Sequence, residues 1–215
     1  MELNRLERYQ KATLIPLVVL ALLFLITFLV ESFQYSIAGF DYKNFSTINN
    51  LIWMIFAIDY IIMFILSDMK IKFIRSHPIE LLLVLIPHLR PLRALRILFM
   101  FERIIGNAKQ KIYISIPYYV SGAALLIVAL AAGAIYPVES KIEEANIKSP
   151  QDALWWAAVT VTTVGYGDKF PISSEGRWIA VGLMITGIAV VGAITASLAA
   201  WIVNKVNDQS NGQPI

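Results

Sequence analysis

The sequence has no cysteine and few charged residues. Only 15% of its 215 residues are Asp, Glu, Lys or Arg, whereas 58% are hydrophobic. Without cysteine the chain has no disulfide framework and no thiolate site. Soluble domains usually carry about 25% charged residues, so the composition argues against disorder and against a soluble enzyme and favours a protein surrounded by lipid. A net charge of +3 is too small to indicate nucleic-acid binding.

Long uncharged segments predict transmembrane helices. A spanning helix needs about 20 apolar residues. Three segments meet this requirement without a charge: Thr13–Val30, Ile112–Val138 and Trp178–Asn204. Three further segments carry isolated charges and complete a set of six spans: Ile48–Ser67, Ile79–Leu89 and Arg90–Arg103. Pro150–Thr162 is apolar but too short to cross, which is typical of a re-entrant helix.

The Lys and Arg residues of the loops predict the orientation of these spans. If the N-terminus is cytoplasmic, most of the loop Lys and Arg residues lie on the inner side, and the outer loops are net acidic. Cytoplasmic loops carry such an excess of Lys and Arg. We therefore expect a multi-pass plasma-membrane protein with both termini in the cytoplasm.

The stretch Thr162–Asp168, TTVGYGD, carries the most information about function. A dehydrated K⁺ ion needs a cage of oxygen atoms, which rings of backbone carbonyls from four chains supply. For these carbonyls to point inward, alternate residues must adopt conformations open mainly to glycine, and Gly165 and Gly167 have that spacing. A surface turn is the alternative, but the motif follows a short apolar helix and lies between two full spans. The predicted filter segment, with K⁺ as permeant ion and no cofactor, is Thr163, Val164, Gly165, Tyr166 and Gly167.

The residues around this motif resemble the tetrameric potassium-channel family. The matching run extends from Asp152 to Pro171 and continues at Gly176-Arg177, within a similarity that covers about Pro117–Asn204. The resemblance implies a homotetramer that conducts K⁺ through one central pore. Some bacterial members have a Glu in the pore helix behind the filter, and this chain has Val159 at that position.

The same resemblance implies roles for two tryptophans. Trp155 is expected to donate a hydrogen bond to Asp168, and Trp156 is expected to belong to an aromatic cuff around Tyr166. The alternative for the pair is a plain interfacial belt of aromatic residues. In the last span, Gly187 matches the hinge region of the family, and helix packing without bending is the alternative.

Arginines at regular spacing lie in the predicted fourth span. Arg90, Arg93 and Arg96 recur every third residue, which places them along one face of a 3₁₀-helix, and Arg103 falls out of step. Charge within a bilayer is costly and usually functional. We interpret these four arginines as candidate gating charges, and a static helix with paired arginines is the alternative.

Two acidic residues are candidate partners for these arginines. Phe56 and Asp59 have the aromatic-x-x-acid spacing of the second helix in voltage-gated members of the family, where the ring closes a septum and the acid receives arginines. Glu80 supplies a second counter-charge. The chain departs from that pattern at Met63, where a basic residue is common, and at Leu81, which occupies the usual slot of the third-helix acid.

The sequence therefore predicts an all-α membrane protein with six transmembrane helices, a re-entrant pore helix and a selectivity filter. Residues 1–106 are predicted to form a four-helix voltage-sensor-like module, followed by a linker helix at 107–116. Residues 117–205 are predicted to form the tetrameric pore module, and 206–215 a short polar tail. The predicted function is passive, voltage-gated K⁺ conduction, with membrane lipids and three further copies as partners. The alternatives are a voltage-independent K⁺ channel gated by lipid or by a missing cytoplasmic domain, and a non-conducting channel subunit. No feature indicates an enzyme.

Overall fold

A computed structural model describes residues 5–35, 41–67, 69–76, 78, 81 and 112–210. The chain divides into two compact units, Met1–Phe101 and Glu102–Ile215. All regular secondary structure among the described residues is helical. The helices are α1 (Arg5–Ser32), α2 (Tyr42–Leu66), α3 (Lys70–Ser76), α4 (Ile112–Glu139), α5 (Pro150–Val161) and α6 (Ser174–Ser210).

In the first unit, α1 packs along α2 because each helix carries one buried apolar stripe. The residues of each stripe recur about once per helical turn and therefore lie on one face of the helix, toward a single neighbour. They consist of Leu17, Ala21, Phe24 and Phe28 on α1 and of Ile52, Phe56, Tyr60 and Met63 on α2. The short helix α3 adds Phe73, which packs on Tyr60 and Met63.

In the second unit, α4 packs against both α5 and α6, and α5 also contacts α6. Small and branched residues fill this interface. They include Ala132 and Ile135 on α4, Ala153 and Ala157 on α5, and Ala180 on α6, all buried. Small side chains allow the helix backbones to approach closely, which leaves the short α5 enclosed by the two long helices.

Four helices among the described residues are long and apolar enough to cross a membrane. They contain the segments Arg8–Ser32, Tyr42–Leu66, Val120–Glu139 and Ser174–Val203. Four of the six predicted spans are therefore confirmed as helices of spanning length. The predicted third and fourth spans, with Glu80, Arg90, Arg93, Arg96 and Arg103, lie outside the described residues apart from Leu81.

The structure agrees with one predicted boundary and shifts another. The helix α4 begins at Ile112, as the predicted fifth span does, so residues 112–116 of the predicted linker helix are continuous with that span. The last helix continues to Ser210, beyond the predicted end at Asn204 and into the predicted polar tail. Polar residues do not interrupt a helix when their side chains can reach water, so hydropathy alone marks the end of the span and not the end of the helix.

Candidate functional site

The helix α5 begins with a set of capping contacts that fix its position. Ser149 is the N-cap, and its hydroxyl accepts a hydrogen bond from the Asp152 N–H at 3.1 Å. In return, Asp152 Oδ2 accepts from the Ser149 N–H at 3.0 Å, which completes a capping box. Pro150 occupies the first turn, where its missing N–H costs nothing. These contacts hold the start of α5 and so determine where its other end leads.

The chain leaves α5 in a backbone conformation that alternates between residues. Thr163, Gly165 and Gly167 have φ values of 61°, 55° and 77°, all in the left-handed region. The Gly165 N–H donates to the carbonyl oxygen of Val159 at 3.0 Å, which holds the segment against the end of α5. Such alternation turns successive carbonyls to one side, as a cage of backbone oxygens requires. Thr163 is β-branched, so its positive φ is a strained conformation that its surroundings must maintain.

The filter segment makes little contact with its own chain. Val164 and Tyr166 are 57% and 68% exposed, although both are large apolar side chains. All residues from 162 to 168 are exposed. A strained and exposed backbone needs contacts that stabilise its conformation. For the filter segment, these contacts come from other chains or from the residues on either side of the segment.

Trp155 contacts the filter segment and the residue that follows it. Its Nε1 donates a hydrogen bond to Asp168 Oδ2 at 2.8 Å, as the resemblance implied. Its ring stacks on Tyr166, with centroids 5.5 Å apart and 7° between the planes. Trp156 is only 2% exposed and packs within its own chain, and its place in an aromatic cuff stays a prediction. Among the described ring contacts of the site, Trp155 is therefore the partner of the Tyr166 ring.

An ion pair joins α5 to the residue after Asp168. Lys169 Nζ lies 2.8 Å from Asp152 Oδ1 and also donates to the Asn146 carbonyl oxygen at 2.7 Å. Burial raises the pKa of the Asp152 carboxyl, but the hydrogen bonds from Lys169, from the Lys148 N–H and from Ser149 outweigh it. The pKa of Asp152 is thereby lowered from its ordinary value. The sequence reasoning did not identify this pair, since residues 17 positions apart give no local pattern.

A buried carboxylate connects the last residue of α4 to the beginning of α6. Glu139 is 0% exposed. It accepts hydrogen bonds from the Ile172 and Ser173 N–H groups, both at 3.0 Å, and from the Ser173 hydroxyl. Gly176 lies against this carboxylate, and a Cβ there would overlap Glu139 Oε1. In the sequence, a glutamate at a helix end is expected to be solvated. Sequence reasoning therefore did not identify Glu139 as a buried, hydrogen-bonded carboxylate.

Gly187 makes a close helix contact. A Cβ at this position would lie 2.8 Å from the Val161 carbonyl oxygen, at the end of α5. Gly182 and Gly192 have open space at the corresponding point. The structure thus gives Gly187 a packing role, and bending at this residue stays a prediction.

In the first unit, Phe56 and Asp59 lie together on the buried face of α2, at 3% and 5% exposure. Asp59 Oδ1 accepts a hydrogen bond from the Tyr9 hydroxyl of α1 at 3.0 Å. Phe56 and Asp59 are therefore buried, and Asp59 is bonded to α1, while their roles as septum and counter-charge stay predictions. The arginines themselves and Glu80 fall outside the described residues.

Comparisons with known proteins bear on the second unit in particular. Residues 113–204 match a protein family described as ion channel. A stretch of 99 residues is 41% identical to a voltage-gated potassium channel of Aeropyrum pernix and covers 46% of this chain and 32% of that protein. A calcium-gated potassium channel of Thermoplasma volcanium is 34% identical over 80 residues, 37% of this chain and 23% of that protein.

A third relative is named for another gating stimulus. A cyclic nucleotide-gated potassium channel of Mesorhizobium japonicum is 35% identical over 119 residues, which are 55% of this chain and 32% of that protein. In all three cases the matched segment covers about a third or less of the relative's own length. The three matches are to ion channels and not to enzymes, as the sequence predicted.

Proposed function

Because residues 113–204 of this chain match the ion-channel family, we propose that four copies of the chain form a K⁺-selective channel. This match and the potassium channels among the relatives support the resemblance inferred from the filter motif. Each copy contributes one α5 and one filter segment, and K⁺ passes along the axis between the four segments. The predicted ligands are the backbone carbonyls and the Thr163 hydroxyl.

The alternating backbone of the filter segment carries this proposal. Left-handed φ values at Thr163, Gly165 and Gly167 direct successive carbonyls to one side of the chain. One chain offers only one wall of oxygens, whereas an ion that has lost its water needs oxygens around it. The exposed side chains of Val164 and Tyr166 and the exposed face of α6 (Val181, Met184, Ile185 and Ile188) leave apolar surface for neighbouring copies or lipid.

The names of the relatives support K⁺ as the permeant ion. All three relatives described above are named potassium channels. We therefore expect purified protein in a planar bilayer to pass current whose reversal potential changes by about 59 mV for a tenfold change in the K⁺ gradient. A current that ignores the K⁺ gradient contradicts K⁺ selectivity.

A non-conducting subunit is the alternative that the same experiment addresses. If this chain functions only with a partner channel, the purified protein carries no K⁺ current, whereas a self-sufficient channel conducts alone. Cross-linking of the purified protein separates the two cases further, because a homotetramer gives a covalent band of four chains. A monomer or dimer after cross-linking contradicts the proposed assembly.

The proposed gating stimulus is membrane voltage, carried by Arg90, Arg93 and Arg96. One charge that crosses the full field contributes about 2.3 kcal/mol per 100 mV. Three arginines in each of four copies could then supply roughly 28 kcal/mol per 100 mV, so that a third of this already suffices to control a gate. The buried Asp59 is the proposed counter-charge in α2. The relatives' names do not decide the stimulus, because they include voltage, calcium and cyclic nucleotides.

Neutralising the arginines tests this stimulus directly. In Arg93→Gln combined with Arg96→Gln, voltage gating predicts a conductance–voltage curve with a smaller slope or a shifted midpoint. An unchanged conductance–voltage curve favours a static helix with paired arginines and a channel gated by lipid or by a further cytoplasmic domain. Lys43→Gln, in the predicted outer loop, is the matched control for loss of a positive charge.

The proposed location is the plasma membrane, with both termini in the cytoplasm. The distribution of Lys and Arg over the loops supports this orientation. A tag at either terminus should then resist protease added outside intact cells. Cleavage of either tag from outside contradicts the orientation.

A further inference from the structure

One residue of the outer loop contacts all three residues that follow the filter segment. The outer loop is residues 140–149, between α4 and α5, and the exit segment is residues 168–170. The side-chain amide of Asn146 donates from Nδ2 to the Asp168 carbonyl oxygen at 3.1 Å, and its Oδ1 accepts from the Phe170 N–H at 3.1 Å. Its own carbonyl oxygen accepts from Lys169 Nζ at 2.7 Å.

The position of Asn146 is itself fixed. Its neighbours Ala145 and Ile147 are buried at 5% and 0% exposure, which anchors the loop on both sides of the amide. Lys169, on the exit segment, is held a second time by Asp152 of α5. The exit segment is therefore tied both to the outer loop and to the start of the helix that precedes the filter.

Asp168 is held from two directions by independent groups. Trp155 of α5 donates to its carboxylate, and Asn146 of the outer loop donates to its carbonyl oxygen. Together these contacts restrict the Asp168 side chain and the peptide plane between Asp168 and Lys169. Asp168 directly follows Gly167, so these contacts hold the end at which the chain leaves the filter segment and limit how far that segment can rearrange.

We infer that Asn146 is a positioning residue that keeps the filter segment in its conducting conformation. The inference rests on the proposed function, because it concerns the filter of a K⁺ channel. The Thr163 conformation is strained and persists only while its surroundings impose it. Loss of the Asn146 amide frees the exit segment and shifts the population of channels toward a non-conducting filter.

The two side-chain hydrogen bonds of Asn146 are exposed, so that a role in positioning the filter segment can be distinguished from a role in folding. Water can replace an exposed hydrogen bond at small cost, so that removal of the amide should leave the fold and the tetramer intact. K⁺ binds the conducting filter and not a collapsed one. Raising external K⁺ during a recording therefore restores the conducting state by mass action, whereas it adds no channels that failed to assemble before the recording.

The test compares Asn146→Ala with wild type in bilayers, using the decay of K⁺ current during sustained opening. Asn146→Ala removes two side-chain hydrogen bonds. Because the loss of even one corresponds to a change of about fivefold, we expect decay at least about fivefold faster in low external K⁺ and a return toward the wild-type rate in high external K⁺. Glu144→Ala, an exposed position in the same loop, is the control and should decay like wild type. Unchanged decay, or faster decay that K⁺ does not reverse, overturns the inference.

Two further measurements keep the outcome decisive. Trp155→Phe removes the other donor to Asp168, and because both groups hold one residue, its effect and that of Asn146→Ala should not be additive. Additive effects contradict the shared anchoring of Asp168. If Asn146→Ala does not assemble, Asn146→Asp keeps the acceptor for Phe170 and loses the donor to Asp168, and the same decay criterion applies.

Failure of the inference is distinguishable from failure of the proposed function. If wild-type protein carries no K⁺-selective current, the channel proposal fails and the role of Asn146 fails with it. If wild type is selective and Asn146→Ala behaves identically, only the positioning role is lost.

Discussion

Gly187 of α6 lies against the backbone of Val161 at the end of α5, so closely that a Cβ would come within 2.8 Å of the Val161 carbonyl oxygen. Since Val161 immediately precedes the residues that lead into the filter segment, this contact sets the distance between the last span and the base of the filter. A side chain at 187 can be accommodated only if one of the two backbones moves.

We therefore expect Gly187→Ala to lower the thermal stability of the proposed tetramer by about 1–3 kcal/mol per chain, the usual cost of overpacking. Survival of the tetramer band on gels after graded heating measures this loss. Gly192→Ala is the matched control, because a Cβ there meets no atom of the chain within 4 Å. Equal stability of the two variants would show that α5 and α6 adjust freely and that the close contact is unimportant.

Glu139 gives a second prediction about stability. In Glu139→Gln one carboxylate oxygen becomes an amide N–H₂ that faces the backbone donors of Ile172 or Ser173. A buried donor left without an acceptor costs about 1–3 kcal/mol, and the negative charge near the start of α6 is lost as well. We expect differential scanning calorimetry to show a lower melting temperature for this variant than for the wild-type protein.

The control for this change is Glu175→Gln. Glu175 lies in the first turn of the same helix but is exposed. Removal of its charge should have a small effect. If Glu139→Gln and Glu175→Gln have equal melting temperatures, the Glu139 carboxylate does not stabilise the protein.

The Lys169–Asp152 ion pair leads to a prediction about pH. The folded-state pKa of Asp152 lies below its ordinary value of 3.8. For a carboxyl with a lowered pKa, the stabilisation is present above the ordinary value and is lost as the pH falls through the folded value. The stability difference between wild type and Asp152→Asn should therefore stay constant from neutral pH to about pH 5 and disappear only in stronger acid.

Melting temperatures of both proteins across this pH range measure the difference. The pair is partly exposed, so the difference itself is expected to be small. A difference that already vanishes between pH 7 and 5 would mean that the carboxyl is not held ionised by Lys169.

In the first unit, the Tyr9–Asp59 hydrogen bond links α1 to α2. Tyr9→Phe removes a donor from a carboxylate that is 5% exposed. Hydrogen bonds to charged groups contribute about 1.5–3 kcal/mol, so we expect a lower temperature of thermal unfolding, followed by intrinsic fluorescence. Tyr35→Phe, at a half-exposed ring beyond the end of α1, is the control. A Tyr9→Phe variant as stable as this control would indicate that the contact contributes nothing.

The sequence predicted the helices well because each has a physical signature within itself. Four uncharged or nearly uncharged segments correspond to helices of spanning length, and Pro150–Thr162 corresponds to the 12-residue helix α5. The positive φ values of Gly165 and Gly167 were expected from their spacing. That of Thr163 was not, since a β-branched residue rarely adopts it and only the surrounding structure can impose it.

Apart from the Trp155–Asp168 hydrogen bond, which the family resemblance implied, contacts between distant residues were beyond sequence reasoning. Asn146, Glu139 and the Lys169–Asp152 pair act through residues 17 to 34 positions away, and no local period or motif records such pairing. The same holds for Trp156, whose identity in the motif does not reveal that it packs within its own chain. The contacts of these residues could be identified only from the three-dimensional structure, in which the fold brings their partners beside them.

The proposed function requires four filter segments that surround one axis and coordinate K⁺ with their carbonyl oxygens. An experimental structure of the purified protein in K⁺, compared with one in Na⁺, would reveal whether this arrangement exists. We expect fourfold symmetry, with ion density on the axis between successive rings of oxygens from residues 163–167 in K⁺ and a changed pattern in Na⁺. A structure in which Val164–Gly167 faces lipid or protein away from any axis, or in which fewer than four chains meet there, would contradict it.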